Sequence, residues 1–195
     1  MKLKFLIPIT VVAIIAIGAV GTLGYYGYSN PVIQNAIYDC PLTEGAPEGP
    51  YYIAGAPFKE RISEGFEGPR LIVTGKVLNQ NCDPIPGAII DIWQVDADGN
   101  YHFEDYLMRG KIKADENGNY KIETILPANY DFLGGTRPAH LHLKVSEPDQ
   151  GPYTTQLYFA GDPHFDQWVQ NSLVLQLTEK DGIEHTNFDF VILTP

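Results

Sequence analysis

Basic charge is scarce in this chain: 13 Lys and Arg stand against 24 Asp and Glu, a net charge of -11 over 195 residues. A phosphate-binding surface needs a basic face, so nucleic acid is excluded as a partner. The acidity serves solubility instead. Helical periodicity is nearly missing, with one short helical turn expected from Pro163 to Val169. There is no internal repeat and no low-complexity tract. No P-loop, dinucleotide fingerprint or nucleophile elbow is present, which sets those three chemistries aside. Asp96, Asp98, Asp115, Glu116 and Asn117 imitate a calcium loop but lack its spacing and distal Glu, so they read as turns. Cysteine is limited to Cys40 and Cys82. Two readings stay open for them: one disulfide in an oxidising compartment, or two buried thiols.

Long apolar runs are equally rare. The one that stands out runs uncharged from Phe5 to Tyr26, behind Lys2 and Lys4. Its length is close to the ~20 residues that span a bilayer as a helix. Residues 1–26 are therefore expected to form one N-terminal apolar helix, either a signal anchor or a cleaved signal peptide. Both readings put the body outside the cytoplasmic membrane, anchored or secreted, because positive charge precedes the run and an acidic chain follows it.

What the chain has in quantity is turn chemistry and aromatic mass: 19 Gly, 15 Pro, 12 Tyr and 9 Phe. Residues 27–69 are expected to form a stalk and an extended arm, since the stretch from Pro41 to Pro69 is rich in Gly, Pro and Glu. Beyond it, short strand-like runs alternate with turns. They cover 71–78, 88–95, 120–125, the segment beginning at His140, 154–159, 173–177 and 188–193. Seven or more short strands predict an all-β fold, a β-sandwich of prealbumin-like type over residues 70–195.

Chemistry is concentrated in Arg137-Pro138-Ala139-His140-Leu141-His142. In a strand, residues two apart share a face and lie ~6.6 Å apart, close enough for His140 and His142 to bind one metal ion. Leu141, Leu143 and Val145 then point into a core. Arg137 adds a fixed positive charge beside the pair. Tyr101 follows the turn Asp98-Gly99-Asn100, and Tyr130 follows Pro127-Ala128-Asn129. A hard trivalent cation can deprotonate a nearby phenol, so two phenolates and two imidazoles would suit ferric iron. Taken singly, each tyrosine also reads as a turn or rim residue with its hydroxyl in water.

An ordered series of segments resembles the intradiol ring-cleavage dioxygenases, the catechol and protocatechuate 3,4-dioxygenase family. The series is Glu48-Gly49-Pro50-Tyr51-Tyr52, then Pro86 to Gln94, then Gly99-Asn100-Tyr101, Arg109-Gly110, Asp115 to Tyr120, Pro127 to Tyr130, Arg137 to His142, and Gln156-Leu157-Tyr158-Phe159. The resemblance implies a mononuclear non-haem Fe(III) site of Tyr101, Tyr130, His140 and His142, completed by solvent. It implies a catechol-type substrate and O2, with a muconate-type diacid as product. Tyr130 would also take up a proton, Arg137 would stabilise negative charge on the ring, and Gln156 would assist by hydrogen bonding. The bland alternatives are a surface salt bridge for Arg137 and an edge-strand amide for Gln156.

Three departures are visible. The long helical dimerisation segment of catechol 1,2-dioxygenases has no counterpart, the spacing at Thr43 to Pro47 differs, and the loop from Tyr130 to Arg137 is short. A homo-oligomer and pairing with a second kind of subunit both stay open. The competing function is a non-catalytic extracytoplasmic β-sandwich that serves as a binding module.

Overall fold

The computed structural model describes residues 38–195. The expected apolar helix of residues 1–26, and the start of the stalk, lie outside the described residues. Among those described, no helix is long and apolar enough to cross a membrane. The chain there is all-β. Its strands are β1 (Arg70–Asn79), β2 (Ile89–Trp93), β3 (Arg109–Lys113), β4 (Asn119–Ile125), β5 (Tyr130–Phe132), β6 (Gly135–Arg137), β7 (His140–Ser146), β8 (Tyr153–Phe159), β9 (Val174–Leu175), β10 (Thr178–Lys180), β11 (Ile183–Asn187) and β12 (Phe190–Ile192).

Two five-stranded sheets carry the fold. In the first, β1 pairs in parallel with β11 and then β12 along one edge, and antiparallel with β4 along the other. The switch from β11 to β12 falls beside Gly75. A Cβ there would sit 1.8 Å from the Phe188 carbonyl oxygen, so only glycine admits that close approach. The second sheet runs β3-β2-β7-β8-β9. The inner faces share one core: Leu71, Val73, Val77, Ile122 and Phe190 from the first sheet meet Ile90, Ile92, Leu141, Leu143 and Leu157 from the second. Alternation in the sequence produces this directly, since every second residue of a strand lands on the same face.

The arm from Pro41 to Pro69 has no strand of its own and straps the two sheets together. Thr43 exchanges hydrogen bonds with Val191 on β12, and the Ala46 amide donates to the Thr154 carbonyl on β8. Further on, the Lys59 amide donates to the Lys111 carbonyl and the Ile62 amide to the Glu123 carbonyl. Cys40 and Cys82 are joined by a disulfide, which ties the first described residues to the turn after β1.

Three sequence-based expectations are corrected. Pro163 to Val169 forms turns rather than helix. Asp162 and Asp166 accept the amides of His164 and Trp168, and such side-chain caps compete with helical hydrogen bonding. The helical turn among the described residues is a 3-10 turn at Asn171–Leu173. That turn takes the start of the run expected as strand over 173–177 and leaves only β9. Strands β3, β5, β6, β10 and β11 were not expected: Tyr130 to Arg137, read as a short loop, is the β5–β6 hairpin, and the polar sequences RGKIK, TEK and IEHTN carry little apolar alternation.

Candidate metal centre

The register of the second sheet builds the floor of the site. Trp93 on β2 lies opposite His142 on β7, and His142 lies opposite Gln156 on β8. His140 lies opposite Tyr158. These side chains occupy the face of β7 that Leu141, Leu143 and Val145 do not. Arm and loops bury that outer face, leaving His140 2% and His142 1% exposed.

The two rings meet at their Nε2 atoms, 3.0 Å apart. His140 Nδ1 lies 2.6 Å from the Pro138 carbonyl oxygen. That oxygen can only accept, so Nδ1 carries the proton and Nε2 keeps its lone pair. The His142 ring stacks on Trp93 at 4.8 Å and 8°. Its Nδ1 is buried with no hydrogen-bond partner. Gly49 backs onto the same ring in a left-handed conformation, φ 73°, where a Cβ would come within 3.4 Å of His142. Burial pushes His140 down to about 3, with the Pro138 carbonyl acting in the opposite direction. Burial and the neighbouring His140 hold His142 well below its usual range. Both imidazoles are therefore neutral at neutral pH, the form that ligates metals.

Two turns deliver the phenols. Asp96 Oδ1 accepts the amides of Asp98 and Asn100, closing the loop before Tyr101. Gly99, at φ 84°, packs so tightly that a Cβ would lie 2.6 Å from the Asn129 carbonyl oxygen. This contact brings the Tyr101 loop against the Tyr130 loop. The rings of Tyr101 and Tyr130 lie 5.2 Å apart at 81°. Tyr130 is 5.6 Å from the His140 ring, and Tyr101 is 6.3 Å from His142. Burial raises both phenols above their usual range, Tyr101 the further. Without a strong cation they stay protonated.

Among the described residues there is no cluster of three or more His, Cys, Asp or Glu able to hold a metal. A metal here has to use the phenols. Two neutral imidazoles and two phenols that only a strong cation would ionise suit a hard trivalent ion, since two phenolates offset most of its charge. The donor set fits ferric iron.

Arg137 closes one side. It ends the β5–β6 hairpin opposite Tyr130. Its Nη2 donates to Gln156 Oε1 at 3.3 Å and to Tyr158 Oη at 3.4 Å. Its Nε pairs with Asp166 at 2.8 Å. Gln156 is 1% exposed and lies on an inner strand, not at an edge. It donates through Nε2 to the Pro47 carbonyl at 2.6 Å and accepts from Tyr158 Oη at 2.5 Å. The structure thus gathers Tyr101, Tyr130, His140, His142, Arg137 and Gln156.

Other contributors escaped the sequence reading. Asp162 Oδ2 accepts both Asn129 Nδ2 at 2.7 Å and the Ala139 amide at 2.8 Å, tying the neighbour of Tyr130 to the neighbour of His140. Arg109 is 1% exposed; its Nη1 donates to the Tyr51 carbonyl and its Nε to the His102 carbonyl. Tyr51 stacks on Tyr101 at 4.1 Å. Each of these partnerships is set by tertiary contact: the segments carrying Tyr51, Arg109, Asn129 and Ala139 had drawn notice, but not what those residues touch. His102, beside Tyr101, is paired with Asp96 at 2.8 Å. His164 is exposed, and His185 belongs to β11 in the other sheet.

Comparison with known proteins agrees with this geometry. The dioxygenase family model matches residues 47–193. Chlorocatechol 1,2-dioxygenase of Rhodococcus opacus is 33% identical over 187 residues, covering 77% of this chain and 72% of that protein. Catechol 1,2-dioxygenase of Acinetobacter baylyi is 36% identical over 170 residues, covering 72% of this chain; the chain spans 53% of that enzyme's length. Among solved structures, the dioxygenase domain of a carbohydrate-binding fusion from Streptomyces sp. SirexAA-E superposes with a TM-score of 0.72 at 29% identity, covering 79% of this chain and 99% of that one.

Proposed function

Because the chain belongs to the intradiol ring-cleavage dioxygenase family of oxidoreductases, we propose that it opens a catechol-type ring between the two hydroxyl-bearing carbons. Both atoms of O2 enter the product, a muconate-type diacid. The proposed cofactor is non-haem Fe(III), held by Tyr101, Tyr130, His140 and His142. The observation that carries this reading is the meeting of the two buried imidazole Nε2 atoms, 3.0 Å apart, beside an edge-to-face pair of phenols.

When bound, ferric iron would serve as a Lewis acid and as a template that orients the substrate. The protein's own groups do the rest. His140 is fixed by the Pro138 carbonyl, and His142 by Trp93 and Gly49, so neither ring needs to reorganise. Tyr130 Oη, ionised only where a strong cation holds it, would be the base that takes up a catechol proton. Arg137 places its guanidinium where negative charge grows on the opening ring, an electrostatic contribution made with no late reorganisation. Gln156 and Asp166 hold that guanidinium from two sides. The near-complete burial of His140, His142 and Gln156 keeps bulk water away and strengthens each of these interactions.

The body of the protein is placed outside the cytoplasmic membrane in this proposal. The apolar N-terminal run supports this, as does the Cys40–Cys82 disulfide, because cytosolic thiols are kept reduced. Mass determination of the mature chain in membrane and soluble fractions reads both its address and whether residues 1–26 are retained. The binding-module alternative gains no support beside the family match and the gathered donor set.

The decisive experiment is oxygen uptake over a panel of catechols, with mass spectrometry of the product. The reading expects one O2 consumed per substrate, a product heavier by two oxygen atoms, and about one iron per chain in a visibly coloured protein. A colourless, iron-free preparation from iron-replete cells, inert towards every catechol, would overturn it.

A further inference from the structure

A train of aromatic rings leads from the candidate metal centre to the surface. Tyr101 and Tyr130 are largely buried at its inner end. Tyr51 follows, stacked on Tyr101 at 4.1 Å and edge-on to Tyr130 at 6.2 Å. Beyond it stand Phe132, 6.0 Å from Tyr51 at 73°, and Phe103, 6.1 Å away at 55°. Exposure rises along the train. Tyr130 is 9% exposed and Phe103 61%, while Leu133, next to Phe132 at the hairpin tip, is 91% exposed. A soluble protein seldom leaves so much apolar surface together unless something binds there.

The outer rings are built into place. The buried Arg109 guanidinium holds the Tyr51 and His102 carbonyls and lies 5.9 Å over the Phe103 ring. Phe132 and Leu133 sit on a two-residue hairpin between β5 and β6, with Leu133 at φ 50° and Gly134 at φ 82°. That left-handed pair is the turn that matches strand twist, so the tip is rigid although exposed. The loop after Phe103 carries three more non-glycine residues at positive φ, Asp105, Tyr106 and Met108. Such backbone persists only where its surroundings hold it, and it collects at binding sites.

We infer that Tyr51, Phe103 and Phe132 form a subsite for a second aromatic ring, so that the substrate class is a catechol carrying an aryl substituent. The inference rests on the proposed reaction, because the train begins at two of the proposed iron ligands. Rings that present faces and edges at steep mutual angles suit a flat apolar guest, which stacks on one and meets the next edge-on. The pyrocatechol ring occupies the inner site. Its substituent lies along Tyr51, between the two phenylalanines.

The test compares 4-phenylcatechol with unsubstituted catechol on the iron-loaded full chain. Anaerobic calorimetry gives both dissociation constants, and oxygen uptake gives both values of kcat/KM. The wild type is expected to bind the aryl compound at least tenfold more tightly than catechol. Phe103→Ala and Phe132→Ala should each shrink that ratio about fivefold to tenfold, the scale of one aromatic contact. Phe58→Ala, an exposed phenylalanine on the arm outside the train, should leave the ratio as in the wild type. Equal ratios in wild type and both train variants would overturn the subsite. A wild-type dimer in light scattering that either train variant dissociates, with the binding ratio unmoved, would overturn it too and assign the patch to self-association. Retention of the binding ratio with no turnover of either compound would uphold the subsite and overturn the proposed reaction instead.

Discussion

The two sheets share one core yet treat their outer faces differently. On β1, in the first sheet, Leu71, Val73 and Val77 are buried while Ile72, Thr74 and Lys76 between them reach solvent in part or in full. On β7, in the second, His140 to Leu143 are all buried. A sheet with one solvated face needs apolar residues on the other face only. A sheet covered on both sides has no need of polar residues at all. Two histidines on the covered outer face, with Gln156 beside them, therefore cost stability and call for a functional reason. His185 on β11 makes the contrast concrete. It pairs with Ile72 in the open sheet and is only half buried.

Exchanging the two histidines is the strongest way to break this comparison. His142→Ala should lose oxygen uptake to below detection, with bound iron sharply reduced in metal analysis. His185→Ala should keep both, with stability changed by no more than about 0.5 kcal/mol, as for most partly exposed positions. Comparable losses of activity in the two variants would show that the outer faces are not functionally distinct.

A smaller effect is expected from two carboxylates with similar local roles. Asp162 ties the flanks of Tyr130 and His140 in the covered region. Asp189 accepts the Lys76 amide at 2.7 Å in the open sheet. Asp162→Asn should lower kcat/KM by roughly 10- to 100-fold while iron stays bound, the usual scale for groups that orient metal ligands. Asp189→Ala, which removes the acceptor, should change stability by about 1 kcal/mol, the scale of one hydrogen bond, and leave kcat/KM unchanged. Normal turnover in Asp162→Asn would remove it from the support of the site.

The inner faces should not differ, which sharpens the comparison from the other side. Leu71 and Leu143 are both fully buried, one in each sheet. Leu71→Ala and Leu143→Ala should each cost about 2–5 kcal/mol in urea unfolding, the sum of lost transfer energy and the cavity left behind. A cost confined to one of them would mean that the core is not shared.

How far the sequence could reach follows the same division. Strands with strong apolar alternation, β1, β4, β7 and β8, were legible within a residue or so, because burial on one face writes itself as a period of two. Strands β3, β10 and β11 were not: β3 and β10 lie at sheet edges, and β11, though between two strands, is only half buried, so none of them requires much apolar alternation. Of the four proposed ligands, the His-x-His pair was legible as a strand motif, while the two tyrosines, each of which alone reads as a turn or rim residue, rested on the resemblance carried by the ordered series of segments. Their partners were not. Trp93 under His142, Tyr158 beside Gln156 and Asp162 between two loops depend on register and loop docking, and neither is encoded within a short window. Asp166 escaped for a related reason. Its stretch resembled a helical turn, and only the pairing of its carboxylate with Arg137 reveals what it does.

The subtlest difference between the sheets should appear as a pH dependence of the iron-stripped protein. Burial holds the folded His140 at about 3, against 6.5 as its ordinary value. Between those values the unfolded chain binds more protons than the folded one, so stability falls as pH is lowered from about 6.5. His142 acts in the same direction. Each ring can contribute up to about 1.4 kcal/mol per pH unit. Carboxyls held low by hydrogen bonds, Glu123 by Lys121 and Asp115 by Asn119, weaken the fold only below their ordinary values of 4.5 and 3.8. Asp91, raised by burial, works in the opposite sense, its share of stability being lost as pH rises. The interval from 5 to 6.5 therefore belongs mainly to the covered imidazoles. Urea midpoints of the iron-free protein should drop on going from pH 7 to pH 5, and less steeply in His142→Gln. A flat profile would mean that the two rings gain a compensating partner on protonation, and the covered face would then be less dry than its burial indicates.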